Sequence, residues 1–150
     1  MLDTALSDLV LLAEGLLALA LGGVVGWERE REGKDAGLRT MMLVSFASFL
    51  FLKVSLLAGA VDPTVDDATQ TDPVRAIQAI ATGLGFVGGG LVFRDRGDKR
   101  IRGVTTAAAI LAVSPVGIAV ALGHYVLAAG TALILYLVLG RLERVEKHLA

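Results

Sequence analysis

An all-α bundle of five membrane-spanning helices is predicted by three observations. The 150-residue chain is 55% hydrophobic with few aromatics, and its mean hydropathy is +0.69, values that suit a polytopic membrane protein better than a soluble domain. Five apolar windows, separated by short polar connections, are long enough to cross or nearly cross a hydrocarbon core of roughly 30 Å. Twelve of the fourteen basic residues fall in the first and third connections and after the last span, as they do when alternate loops face the cytoplasm.

The first span reads from about Leu9 to Gly26, with Gly15, Ala18, Gly22 and Gly26 recurring at helical spacing as a small-residue stripe. Asp3 and Asp8 precede it and no lysine or arginine occurs before Arg29, so the N-terminus does not read as a secretory signal. The second span runs from Met41 to Ala60. The third, Val74 to Phe93, is dense in glycine. On a helical wheel Arg75, Gln78, Thr82, Gly85 and Gly89 fall within about 80° of one another, and Ile77, Ile80, Leu84, Val87 and Leu91 lie opposite. The polar, small face is therefore expected to pack against other helices, the first span foremost, or to line a polar path. The aliphatic face is expected to meet lipid. The fourth span is Val104 to Leu122 and the fifth Tyr125 to Gly140, joined by a tight turn at Gly123 and His124. No internal repeat or second domain is visible, so residues 1–150 read as a single transmembrane domain.

Orientation follows from charge. Arg29, Arg31, Lys34 and Arg39 fill the first connection, Arg94, Arg96, Lys99, Arg100 and Arg102 the third, and Arg141, Arg144 and Lys147 follow the last span. The positive-inside rule puts these in the cytoplasm and the N-terminus outside. The second connection, Asp62 to Pro73, has four aspartates and no basic residue, which suits an outer loop. The net charge of -1 gives no field for nucleic acid.

Two groups of polar residues stand out. Glu14 and Lys53 lie within the first and second spans, each 12 residues from that span's inner limit, about 18 Å at 1.5 Å per residue. A lone charge at mid-membrane costs on the order of 3 kcal/mol, so an ion pair, snorkelling to the outer headgroups or a transport role are the alternatives, with Gln78 a further polar neighbour. At the inner boundary the alternating Glu28, Arg29, Glu30, Arg31 and Glu32 lie near Arg39 and Thr40, Asp95, and Thr105 and Thr106. Alternating charge suits a solvated helix end. The convergence of four span ends also suits a network that fixes the bundle or docks a partner. Gly22, Gly26, Gly83, Gly85 and Gly89 are the expected close-packing positions.

Enzymatic chemistry has little support. Cysteine is absent, the two histidines, His124 and His148, have no neighbouring nucleophile or ligand set, and Ser114 beside Pro115 suits a kinked backbone. No cofactor is expected, and no metal site can be assigned.

The segments GVVGWERE (Gly23 to Glu30), AGLRT (Ala36 to Thr40), Asp72 with Arg75, GLGFVGGGLVFRD (Gly83 to Asp95) and GVTTAAA (Gly103 to Ala109) occur in an order and spacing that resemble the MgtC/SapB family of bacterial inner-membrane proteins. The resemblance covers nearly the whole chain. Two positions depart from the family pattern: Gln78 is the third rather than the fourth residue after Arg75, where Ala79 stands, and Leu111 replaces a tryptophan. The resemblance implies a multi-pass inner-membrane protein, present as the membrane domain without the soluble C-terminal domain of virulence-associated members. It implies a link to magnesium homeostasis and adaptation to low magnesium, and regulation through membrane partners such as the rotary ATP synthase. The expectation is a non-enzymatic regulatory or scaffold protein that forms a homodimer among membrane lipids. The alternative is a transporter or channel for magnesium or another small solute.

Overall fold

The structure, a computed structural model, describes the backbone over residues 2–60, 72–94 and 101–149, and the side chains over 4–59, 72–92 and 102–140. Five helices follow in order: α1 (Leu2–Arg31), α2 (Leu38–Ala60), α3 (Pro73–Leu91), α4 (Val104–Ala121) and α5 (Tyr125–Leu149). A two-residue antiparallel ladder, β1 (Phe93–Arg94) with β2 (Ile101–Arg102), joins α3 to α4. Four helices are long and apolar enough to span a bilayer, and α5 adds a shorter apolar stretch, Tyr125–Gly140. The bundle's basic end carries Arg31, Leu38, Leu91 and Val104. Its acidic end carries Asp72 and the α4–α5 turn.

Local chemistry sets the helix limits. α1 continues past Gly26, so Glu28 and Arg29 belong to the helix, and it stops where Gly33 takes φ +66. There the Gly33 and Lys34 amides donate back to the Glu30 and Arg29 carbonyls at 3.2 and 3.0 Å, a Schellman stop. α4 ends the same way: Gly123, at φ +76, donates to Val120 and His124 to Ala119, satisfying carbonyls that would otherwise face the membrane boundary unpaired. α3 starts at Asp72, whose Oδ1 accepts the Val74 amide at 2.8 Å, with Pro73 in the first helical turn.

The core forms where α1, α2, α4 and α5 meet. Ala18 and Val25 of α1, Met41, Phe49 and Leu52 of α2, Ile110, Val113, Val116 and Val120 of α4, and Ala128 and Ala132 of α5 are all buried. Small residues permit the approach. A methyl group on Gly22 would sit 2.5 Å from the Met41 carbonyl oxygen, and one on Gly26 2.8 Å from the Leu38 Cα. One on Gly117 would collide with the Ser45 carbonyl oxygen. Serine hydroxyls stitch the same seams. Ser45 donates to the Ala18 carbonyl at 2.7 Å, and the Ser48 and Ser114 hydroxyls share a hydrogen bond of 2.8 Å. Such bonds between membrane helices contribute about 0.6 kcal/mol each on average.

Two expectations about packing are reversed. The stripe of Gly15, Gly22 and Gly26 on α1 lies against α2, meeting Phe46, Phe49, Met41 and Leu38, and not against α3. On α3 it is the aliphatic residues Ile77, Ile80, Leu84 and Leu91 that pack on the core, while Arg75, Gln78, Thr82, Gly85 and Gly89 are exposed. Among the described residues nothing lies within reach of a methyl added at Gly83, Gly85 or Gly89, and of the α3 glycines only Gly88 touches a described neighbour, Ala107 of α4. The reason is physical. In a bilayer neither face of a helix is driven inward by water, so side-chain fit decides, and branched aliphatic side chains fill the space beside α4 better than glycine does.

Candidate functional site

Three polar groupings are candidates, one at each end of the bundle and one along α3. At the acidic end Lys53 Nζ lies 2.9 Å from Glu14 Oε2, and the Tyr125 hydroxyl donates to Glu14 Oε1 at 2.5 Å. Glu14 and Lys53 are both largely covered, with side-chain exposures of 14% and 20%. Their depth differs from the mid-membrane expectation. Because α1 is helical to Arg31 and α2 from Leu38, Glu14 and Lys53 are about 25 and 22 Å from the basic end. Tyr125, the first residue of α5, follows directly on the α4–α5 turn, so the trio sits near the outer edge of the bundle on the acidic side. Tyr125 escaped sequence reasoning because its partner is distant in the chain. Its position at the start of an apolar run, where aromatic side chains gather at membrane interfaces, was the available signal.

At the basic end Glu28 and Arg29 are buried, with 6% and 3% exposure. Arg29 donates from Nε to the Ala36 carbonyl at 2.7 Å and from Nη2 to the Thr106 hydroxyl at 3.0 Å. One planar fork thus ties the α1–α2 loop to the first turn of α4, a geometry that a lysine cannot reproduce. The Glu28 carboxylate lies against Gly140 of α5, where an added methyl would come within 2.6 Å of its Cδ. Glu30 accepts the Leu38 amide at 2.9 Å and so caps α2 from across the loop. The alternating charges are therefore divided between two tasks: Glu28 and Arg29 enter the bundle, while Glu30 holds the loop. Of the other residues expected here, Thr106 is buried beside Arg29, Thr40 is half-buried on α2, and Arg39 and Thr105 are exposed. Asp95 lies outside the described residues, as do Asp62, Asp66 and Asp67 of the acidic connection.

Along α3, Arg75, Gln78 and Thr82 lie on the exposed face with Gly85 and Gly89. Thr82 donates to the Gln78 carbonyl at 2.8 Å, and Arg75 lies 4.0 Å from Asp72, an exposed pair that contributes little. Among the described residues no three histidine or carboxylate side chains gather as a metal-binding group. Glu14 Oε1 accepts from Tyr125, and Oε2, which has no hydrogen bond among the described residues, faces the Lys53 ammonium as an ion pair.

Apolar helices closed by Schellman turns, stitched by serines, with buried charge at the basic end and a partly covered ion pair toward the other, define a polytopic α-helical membrane protein. The chain belongs to the MgtC family, whose model matches residues 16–148. It is 35% identical over 135 residues to an uncharacterized protein of Haemophilus influenzae, covering 90% of this chain and 56% of that protein. It is 34% identical over 116 residues to the protein SapB of Bacillus subtilis, covering 77% and 49%. Over 110 residues it is 37% identical to YhiD of Escherichia coli K12, a protein named provisionally as a magnesium transporter, covering 73% and 50%. The chain spans about half the length of these relatives. No solved structure matches it.

Proposed function

We propose that this protein is a non-enzymatic regulatory or scaffold component of the bacterial inner membrane, linked to magnesium homeostasis and stress adaptation, and that it acts by presenting α3 to membrane partners. The observation that carries this reading is the exposed face of α3. Arg75, Gln78, Thr82, Gly85 and Gly89 lie together on a helix whose other side holds it to the bundle. Glycine exposed in a membrane helix invites close approach by another helix, and glutamine and threonine supply hydrogen bonds for it. A second copy of the chain is the first partner to expect, as a two-fold dimer, and a larger membrane assembly such as the ATP synthase is the second. The cluster at the basic end, Arg29 with Thr106 and Ala36, supports the reading by fixing the cytoplasmic ends of α1, α2 and α4 as a rigid base.

Purification of the protein from its native membrane after crosslinking tests this reading. Partners captured through α3 support it, and their loss in Gly89→Leu with unchanged helicity locates the contact. The transporter reading draws on the name of YhiD and on the charged trio of Glu14, Lys53 and Tyr125. Magnesium flux into liposomes containing the purified protein, abolished by Glu14→Gln, would establish that alternative. Reporters placed after Asp66 and after Arg100 should lie on opposite sides of the membrane, with Arg100 cytoplasmic.

A further inference from the structure

The sparse packing of α3 leaves a second feature that is independent of its glycine face. Between α2 and α3 runs a groove of about 590 Å³, lined on α2 by Val44, Ser48, Phe51 and Ser55 and on α3 by Ala79, Gly83 and neighbouring apolar residues. From Val44 to Ser55 it follows α2 for about 16 Å, a large part of the depth of a hydrocarbon core. It opens sideways from the bundle between two helices that can each span a bilayer, so membrane hydrocarbon is what meets it.

The lining selects the kind of occupant. Ser48, its central polar residue, donates to the Val44 carbonyl at 2.8 Å and is hydrogen-bonded to Ser114, so it asks nothing of a ligand. Small residues on the α3 wall, Ala79 and Gly83, leave width without offering directed bonds. A flexible apolar chain satisfies such a surface, which otherwise forfeits dispersion contacts along its whole length. The exposed face of α3, with Gln78 and Thr82, is the one that offers hydrogen bonds to another helix.

One end of the groove is electrostatically marked. Val44 and Val87 lie toward the basic end. There Thr40, one turn before Val44 on the same face of α2, is half-buried, and the exposed Arg102 sits in the ladder just beyond Leu91. An arginine and a hydroxyl at the interface suit a phosphate. Basic sites between membrane helices on the cytoplasmic side take anionic headgroups, and the positive-inside rule assigns this end to the cytoplasmic leaflet.

We infer that the α2–α3 groove is a binding site for an anionic phospholipid of the inner leaflet, one acyl chain lying between Phe51 and Gly83 and the phosphate held near Arg102 and Thr40. The inference stands whether the protein regulates or transports.

Native mass spectrometry of the full chain, exchanged into phosphatidylglycerol or phosphatidylcholine, tests it. One phosphatidylglycerol per protomer should be retained, with about tenfold preference over phosphatidylcholine. Gly83→Leu should reduce that occupancy about tenfold, whereas Gly130→Leu, on an open stretch of α5, should leave it unchanged. Arg102→Gln should erase the preference while the tail still binds. Equal retention of both lipids by the unaltered chain would overturn the headgroup assignment, and full occupancy in Gly83→Leu would overturn the groove. A Gly83→Leu chain that loses its dimer while keeping its lipid would instead make the groove a contact between copies. If Gly83→Leu does not fold, Phe51→Trp in a Trp27→Phe background, which leaves a single tryptophan in the groove, decides the matter. Brominated phosphatidylglycerol at low mole fraction should quench it more than brominated phosphatidylcholine does, and equal quenching would contradict the proposal.

Discussion

α3 and α4 are consecutive helices of nearly equal length, 19 and 18 residues, and both are apolar enough to span a bilayer. Yet ten residues of α4 are buried and only Gly88 of α3 is. α4 touches every other helix and carries the serine and glycine that bring α2 close. α3 is held by a strip of aliphatic side chains and, apart from Gly88, leaves its glycines clear of the other described residues. The difference shows that small residues in a membrane helix can occupy two settings, packed or exposed, which composition alone does not separate. In α4, as in α1, they allow backbones of one chain to approach. In α3 all but Gly88 face away from the described remainder of the chain.

Gly117 of α4 is the least tolerant of these glycines. Leucine there would drive its side chain into the Ser45 backbone, where no flexible atom can yield, so Gly117→Leu should cost upward of about 3 kcal/mol and fail to accumulate in the membrane. Gly85→Leu, on the open side of α3, should leave the melting temperature of the monomer within a few degrees of the unaltered chain. Comparable losses in both would place the α3 glycines inside the bundle.

Arg29→Ala is the next largest effect. It strips the partners from the Ala36 carbonyl and the Thr106 hydroxyl and empties a buried site, and should destabilise by about 2–4 kcal/mol in detergent unfolding. Arg29→Lys should recover less than half of that. Arg39→Ala, at an exposed position, should change stability by less than about 0.5 kcal/mol, and any loss of growth in limiting magnesium from that variant would then report a partner contact. Smaller again is Ser114→Ala, which leaves Ser48 its bond to the Val44 carbonyl and should cost about 0.6–1.7 kcal/mol.

Much of this architecture was legible in the chain. The five helices follow from apolar runs, and the turn at Gly123 from glycine just past a helix end, whereas the stop at Gly33 was not read because the apolar run ends at Gly26. Pairing of Glu14 with Lys53 was among the readings open to sequence because antiparallel spans bring equal depths together, although the extension of α1 to Arg31 moved the pair toward the acidic end. Tyr125 was not visible, since nothing local links it to Glu14. The orientation of α3 was read in reverse because a wheel with one polar, small face and one aliphatic face has two solutions in lipid. Soluble helices resolve that ambiguity through water, whereas here only the fit of Ile77, Ile80 and Leu84 against the core settles it. At the basic end the convergence of Glu28, Arg29 and Thr106 was readable from span ends, but the division of labour that sends Arg29 inward and leaves Arg39 outside depends on the exact turn at which α1 stops.

Cysteine scanning along α3 tests the central claim most directly, because the chain contains no cysteine of its own. Single substitutions Gln78→Cys, Thr82→Cys, Ile80→Cys and Leu84→Cys would be oxidised in native membranes and examined for covalent species of higher mass. Gln78→Cys and Thr82→Cys should crosslink to a second copy or to another membrane protein, and Ile80→Cys and Leu84→Cys should remain monomeric. Crosslinking at Ile80→Cys and Leu84→Cys with none at Gln78→Cys and Thr82→Cys would contradict the account, since the aliphatic face of α3 would then be the one turned outward.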